Sequence, residues 1–278
     1  MRYVSGGTHE TGCIFCNRLA AADDTGSLII HRGERCFVIL NLFPYNTGHL
    51  MMVPNDHVAG PEQVDPAALA EMAELLPTVL GAVRRALRCD GFNIGINVGA
   101  VAGAGVADHL HQHVVPRWEG DANFMPILAS TMVLPELLPV TYAKLRAELQ
   151  TRTGDPREVP LVVMGEDDRQ VLTVQDGSVR RLLRIPLQGD GPVWARAVDA
   201  AMTASAGPVE LAGWAGSLTA VPNREAALAL RAQAPRGTSS GLTGQWSETA
   251  TLIMGGLADT DAVALQAALI NAGREPPV

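Results

Sequence analysis

Three histidines alternate with non-ionisable residues in His109-Leu110-His111-Gln112-His113-Val114-Val115-Pro116. A neutral imidazole is a nucleophile, a proton carrier or a metal ligand near pH 7. In an extended chain, successive side chains point to opposite faces, so His109, His111 and His113 share one face. A helix would scatter them, and the alternation favours a strand. Three chemistries fit. The run is a half-buried strand whose polar face is histidine, or a His-x-His metal clamp as in zinc hydrolases. The third is a nucleophilic imidazole with two helpers on its face, suited to phosphoryl or nucleotidyl transfer. Three imidazoles in five residues weigh against the first, and the other two stay open at this point.

Cys13-Ile14-Phe15-Cys16 is the second chemically pointed stretch. Cys-x-x-Cys is half a zinc site, a redox pair or neither. The residues after it do not form a thioredoxin-like βαβ pattern, which weighs against redox. Cys36 and Cys89 lie in apolar surroundings and read as buried thiols. The loop Gly99–Gly105 lacks the glycine order and the lysine of a phosphate-binding P-loop, and it precedes a strand rather than a helix. A flexible connection accounts for it.

Several elements must position these residues. Ser27–Ile30 and Arg35–Asn41 read as strands around a turn at Arg32-Gly33-Glu34, and His49–Pro54 as a third. Asp65-Pro66 opens a helix, the Asp capping and the Pro at its first position. Leu69, Met72, Leu75, Leu76, Leu80, Val83 and Leu87 follow at helical spacing, with a kink expected at Pro77. Asp90-Gly91 closes it, and Phe92–Val98 alternates as a strand.

The chain has 278 residues, enough for one large domain or two ordinary ones. It carries 29 acidic against 21 basic residues, a formal charge of −8. That argues against a non-specific nucleic-acid binder, which needs a basic face. No run approaches the roughly 20 apolar residues of a membrane span, and the N-terminus lacks a signal-peptide pattern. The expectation is a cytoplasmic protein with no membrane and no nucleic-acid partner, whose cysteines are ligands or buried thiols rather than disulfides.

With these pieces placed, the chain resembles the histidine-triad (HIT) superfamily of nucleotide hydrolases and transferases. The His-φ-His-φ-His-φ-φ motif matches at His109–Val115, except that Gln112 stands where an apolar residue is usual. Val38–Leu42, Gly48-His49-Leu50, Gly91-Phe92-Asn93 and Asn97-Val98-Gly99 match as well. The continuation Pro116–Phe124 resembles the diadenosine tetraphosphate phosphorylase and hydrolase branch. The likeness spans roughly Cys13 to Glu148.

The resemblance implies His111 as the nucleophile on an α-phosphate, through a covalent nucleotidyl-histidine, with His113 and His49 contacting the phosphate oxygens. It implies Asn41 at the ribose and Asn97 near the phosphates. Relatives carry Ser or Gln just ahead of the triad where this chain has Gly105 or Val106, so leaving-group stabilisation falls to backbone amides or weakens. It further implies a structural Zn²⁺ on Cys13, Cys16, His57 and His109, a closed tetrahedral set without a water position. No organic cofactor is implied. The implied partners are an adenine nucleotide substrate and a second copy of the chain in a homodimer.

In the second half, Thr151–Pro160 reads as a linker. The expected organisation is a catalytic domain over 1–150, a linker over 151–160 and an accessory α/β domain over 161–278. Lys144, Arg146 and Glu148 read as the solvated face of a helix just ahead of the linker. Val159–Met164, Val171–Gln175, Leu182–Pro186 and Val209–Ala215 read as strands, Val193–Ala206 and Asp261–Asn271 as helices. Their order faintly resembles a Nudix domain, but its metal-binding glutamates would fall on Ala201, Ala204 and Ser205, a degenerate form. The fold class is α+β: a HIT-like antiparallel sheet with helices, then a second, smaller α/β domain. The expected function is a nucleotide hydrolase or transferase cleaving dinucleoside polyphosphates. The alternatives are a phosphoramidase or adenylyl transferase on the same site, and a non-catalytic nucleotide-binding regulator.

Overall fold

The computed structural model describes residues 11–21, 23–121, 136–153, 158–165, 170–176, 179–215, 227–232 and 244–248, with 252, 257, 261, 264, 265 and 268. The chain divides into two units between Leu137 and Leu138.

In the first unit, helix α1 (Ile14–Ala20) precedes strands β1 (Ile29–Arg32), β2 (Cys36–Leu40) and β3 (Leu50–Pro54). Helix α2 (Pro66–Leu87) leads to β4 (Gly91–Ile96) and then β5 (Gln112–Arg117). The five strands form an antiparallel sheet in the order β1-β2-β3-β5-β4. Strands β2 and β3 are buried at every position, which explains why both read as apolar runs rather than alternations. Helix α2 begins as expected: the Asp65 carboxylate accepts the Ala67 N–H at 2.7 Å. It runs unbroken through Pro77 and ends on Arg88 in the left-handed region (φ 55°). Its buried stripe (Ala68, Met72, Val79, Ala82, Val83, Ala86) lies at the spacing of an amphipathic helix. Among the described residues, α2 alone is long and apolar enough to cross a membrane by length and composition. That buried stripe marks the core helix of the unit, which packs on β2 and β3.

The triad does not form the strand expected from His109 onward. Regular pairing starts at Gln112, and His109–His111 lies just ahead of the strand, with a bend at His109. The alternation survives there. Leu110 packs with Val64 and Ala68, whereas His109 and His111 both meet Phe15.

The second unit begins with helix α3 (Leu138–Thr153), followed by β6 (Glu158–Met164), β7 (Gln170–Asp176) and β8 (Val179–Pro186). Helix α4 (Val193–Ser205), β9 (Val209–Ala215), β10 (Ala227–Ala232) and β11 (Gly244–Glu248) complete it. The sheet order is β11-β7-β8-β6-β10-β9, with β10 parallel to β6 and the other neighbours antiparallel. The boundary at 150 and the linker over 151–160 are therefore corrected. Thr151–Thr153 end α3, and Glu158–Pro160 already belong to β6.

The solvated face expected of this helix is also corrected, since Arg146 and Glu148 are buried. A Glu148 carboxylate oxygen accepts the Val193 N–H at the start of α4, which explains a charge inside this helix packing. Ala201, Ala204 and Ser205 are buried on α4. The expected turn at Glu166–Asp168, the stretch 122–124 and most of 261–271 lie outside the described residues.

Candidate active site and adjoining metal-ligand cluster

Helix α1 carries the Cys-x-x-Cys pair and is held at both ends. Phe15 sinks into the core beside Ile29, Phe37, Ile39, Met51 and Val53. Arg32 on β1 donates to the Leu19 and Ala21 carbonyls, at 2.7 and 2.9 Å, and pairs with Asp24. A cation on the orphan carbonyls of a helix C-terminus is a favourable cap.

The four residues that the resemblance grouped lie together. Cys13 Sγ lies 3.3 Å from His109 Nδ1, and Cys16 Sγ lies 3.4 Å from His57 Nδ1. Cys16 Sγ to His109 Nδ1 is 3.6 Å, and the two imidazole Nδ1 atoms are 3.2 Å apart. A tetrahedral zinc, with bonds of about 2.3 Å to sulfur and about 2.0–2.1 Å to nitrogen, requires S···N edges of about 3.6 Å and N···N edges of about 3.3 Å. The donor set fits that ion, and these four residues could hold a metal. The surroundings of His109 agree. Its Nε2–H donates to the Pro54 carbonyl at 3.0 Å, which leaves the Nδ1 lone pair for the cluster, the usual outer support of a ligating histidine.

Two residues on, His111 is wired in the opposite sense. Its Nδ1–H donates to the His109 carbonyl at 2.9 Å, so the lone pair resides on Nε2, which makes no hydrogen bond among the described residues. Burial pushes the His111 imidazole below its ordinary value. It is therefore uncharged and nucleophilic at neutral pH.

The remaining imidazoles form a directional chain. The Tyr45 N–H donates to His49 Nδ1 at 3.1 Å, so that nitrogen carries no proton. Asn41 Nδ2 approaches the same atom at 3.2 Å. His49 Nε2–H then donates to His113 Nδ1 at 2.9 Å, which fixes the His113 proton on Nε2. Burial, then the neighbouring imidazoles, lower His49 to about 3 and His113 to about 4. Both are neutral donors rather than cations. His49 is fully buried with both nitrogens engaged. The expectation that it touches phosphate is corrected: it positions His113 instead.

The strand end that presents His49 depends on a close approach. Gly48 adopts φ +76°, and a Cβ there would come within 2.3 Å of Leu87 Cδ1. The loop before it is tied down by Asn46, whose amide donates to the Pro116 carbonyl and to Asp121. Asp121 pairs with Arg117 at 2.6 Å, and that hydrogen-bonded guanidinium holds its carboxyl well below the usual range, at about 2.

Asn41 also accepts the Phe43 N–H at 3.0 Å, a local turn bond. Asn97 is half-buried just past β4, and Gly105 is exposed in the loop ahead of His109. Sequence reasoning missed Phe15 and Tyr45. The Tyr45 ring lies 5.8 Å from His113, stacked at 25°, and 4.7 Å from His49. An aromatic at a core or loop position carries no spacing signal of its own, and only the neighbouring cysteines and Gly48-His49 could have drawn attention to either.

Residues 24–120 match the HIT domain model. The chain is 42% identical to AP-4-A phosphorylase of Mycobacterium tuberculosis over 125 residues, 45% of this chain and 64% of that protein. It is 31% identical to an adenylylsulfatase of Arabidopsis thaliana, over 42% of this chain and 58% of that one. It thus spans less than two thirds of either relative. An uncharacterized HIT-like protein of Saccharolobus solfataricus is 32% identical, over 41% of this chain and 79% of that one.

Proposed function

The chain belongs to the HIT family, and on that premise we propose that it is a nucleotide-processing enzyme that splits dinucleoside polyphosphates at the α-phosphate through His111. The observation that carries this reading is the fixed, uncharged tautomer of His111, with Nδ1–H on the His109 carbonyl and Nε2 left over. Likeness to the mycobacterial phosphorylase favours diadenosine tetraphosphate as substrate. Likeness to the plant adenylylsulfatase favours adenylyl transfer as the shared chemistry and keeps a broader choice of leaving group as the second reading.

His111 Nε2 attacks the α-phosphorus, an N–P bond forms, and the P–O bond to the rest of the phosphate chain breaks. The departing ATP leaves with that electron pair. Water or inorganic phosphate then attacks the same phosphorus, and the imidazole recovers its lone pair. One difficult displacement becomes two easier ones. The Nε2–H of His113, fixed by His49, donates to a non-bridging oxygen as charge gathers there. Asn41 is assigned to the ribose, and Asn97 with the amides near Gly105 to the phosphates.

The metal in the cluster is zinc on this reading, and it is structural. Cys13, Cys16, His57 and His109 would complete four-coordination, and bound zinc would tie α1 to the triad lead-in. Homodimerisation is assigned to the sheet edge at β4, where Ile94, Ile96 and Val98 are exposed; light scattering checks it.

Incubation with diadenosine tetraphosphate, with and without inorganic phosphate, tests the reaction. Attack at the α-phosphorus yields AMP and ATP with water, or ADP and ATP with phosphate. His111→Asn should lower turnover by ~10³-fold or more while the protein stays folded and binds AMP. Two ADP without added phosphate would overturn α-attack. No turnover with tight AMP binding would identify a nucleotide-binding regulator.

A further inference from the structure

One apolar ring meets both an imidazole of the metal-ligand cluster and an active-site imidazole. Phe15 stands between Cys13 and Cys16 in the first turn of α1 and is 4% exposed. It meets His109 edge-on at 5.4 Å between ring centroids and His111 at 5.1 Å, tilted by 46°. It also belongs to the core cluster of Ile29, Phe37, Ile39, Met51 and Val53.

A histidine held by one Nδ1–H bond is not fully determined. Its χ2 torsion is broad and roughly two-fold, so a ring flip can exchange which atoms face the carbonyl and the substrate. Only a surface against the ring removes that freedom. Resting on the reading of His111 as nucleophile, we propose that Phe15 is a positioning residue. It is the wedge by which the Cys-x-x-Cys helix holds the His111 ring in the one orientation that keeps Nδ1–H on the His109 carbonyl and Nε2 clear. The arrangement is a closed circuit. Cys13 and Cys16 flank Phe15 on α1, and the Phe15 ring meets His111. His111 in turn bonds the backbone of His109, whose ring faces the cysteines.

The test uses the full chain with Phe15→Ala and Phe15→Leu, which retain all four candidate ligands. Both variants should keep the wild-type metal content and a cooperative melt. With diadenosine tetraphosphate, KM should stay within about twofold, while kcat falls on the order of tenfold to a hundredfold for the alanine variant and less for leucine. Nitrogen and carbon NMR of the imidazoles should show a single Nδ1–H tautomer for His111 in wild type, and a mixture with the Nε2–H form in Phe15→Ala. An unchanged kcat with a single tautomer in Phe15→Ala overturns the proposal. So does metal loss or a weakened melt that accounts for the lost rate in both variants, since Phe15 is then ordinary core. If the wild type cleaves no nucleotide, the functional reading falls, and the tautomer measurement alone decides the role of Phe15.

Discussion

Both units bury polar side chains, and they use them differently. In the second unit several of these groups are turned onto the protein's own structure. Asp261 accepts the Leu182 N–H at 2.9 Å and pairs with Arg184. Thr173 bonds the Gln245 carbonyl and Ser247, and Ser247 also accepts from Arg180. Arg196 donates to the Pro186, Leu187 and Gln188 carbonyls. In the first unit His109, His111 and His113 are each fixed from one side and keep capacity on the other, whereas His49 has both nitrogens engaged. His111 retains an acceptor nitrogen, His113 a donor, and His109 a lone pair aimed at two thiols. Burial of polar groups therefore does not by itself mark a site. A buried group whose tautomer is settled by the backbone, with one atom left over, does.

If that contrast is right, a paired substitution separates the two uses. Cys13→Ser should release the metal and weaken the first unit by on the order of 3 kcal/mol or more, because metal affinity at a structural site is folding free energy. Asp261→Ala should weaken the second unit by about 2–4 kcal/mol, because it leaves Arg184 and the Leu182 N–H without their partner in a largely dry setting. Amide exchange resolved by region checks both. The first loss should register at β3 and β5, the second at β6 and β8, and kcat per folded molecule should survive only the second. Equal losses at both sheets for either variant would erase the distinction.

Much of the first unit was legible because its signals are chemical. His109, His111 and His113 at alternate positions, and Cys13 with Cys16, have few structural reasons to occur, and the four candidate ligands do converge. Asp65-Pro66 marked the start of α2 to the residue. What escaped was settled by tertiary contact. Lys144, Arg146 and Glu148 look like a solvated face by type, yet Glu148 is drawn inside by the orphan Val193 N–H. Its helix therefore joins the second unit, and the boundary moves back to Leu138. His49 reads as a phosphate contact until its Nδ1 is seen to accept from Tyr45 and its Nε2 to be spent on His113. Phe15 looks like any core phenylalanine, because sequence does not record which imidazole a ring will touch.

The mildest way to sharpen the contrast is acid. All seven histidines precede residue 114, so the second unit contains none. Folding holds His49 at about 3 and His113 at about 4, whereas an unfolded chain takes up these protons near 6.5. The folded-state values are depressed, so this stabilisation is complete above the unfolded value and drains away as pH falls toward the folded ones. Each such histidine should remove about 1 kcal/mol from the first unit between pH 6.5 and 5.5. Metal release in acid would act in the same direction, so the decisive quantity is a difference. His49→Asn retains all four candidate ligands and removes one titrating group, and its stability in urea should fall by about 1 kcal/mol less than wild type over that interval. The second unit should hold level through the same range. Parallel slopes for wild type and variant would mean that the buried imidazole chain contributes nothing to the acid response, and that the cluster alone governs it.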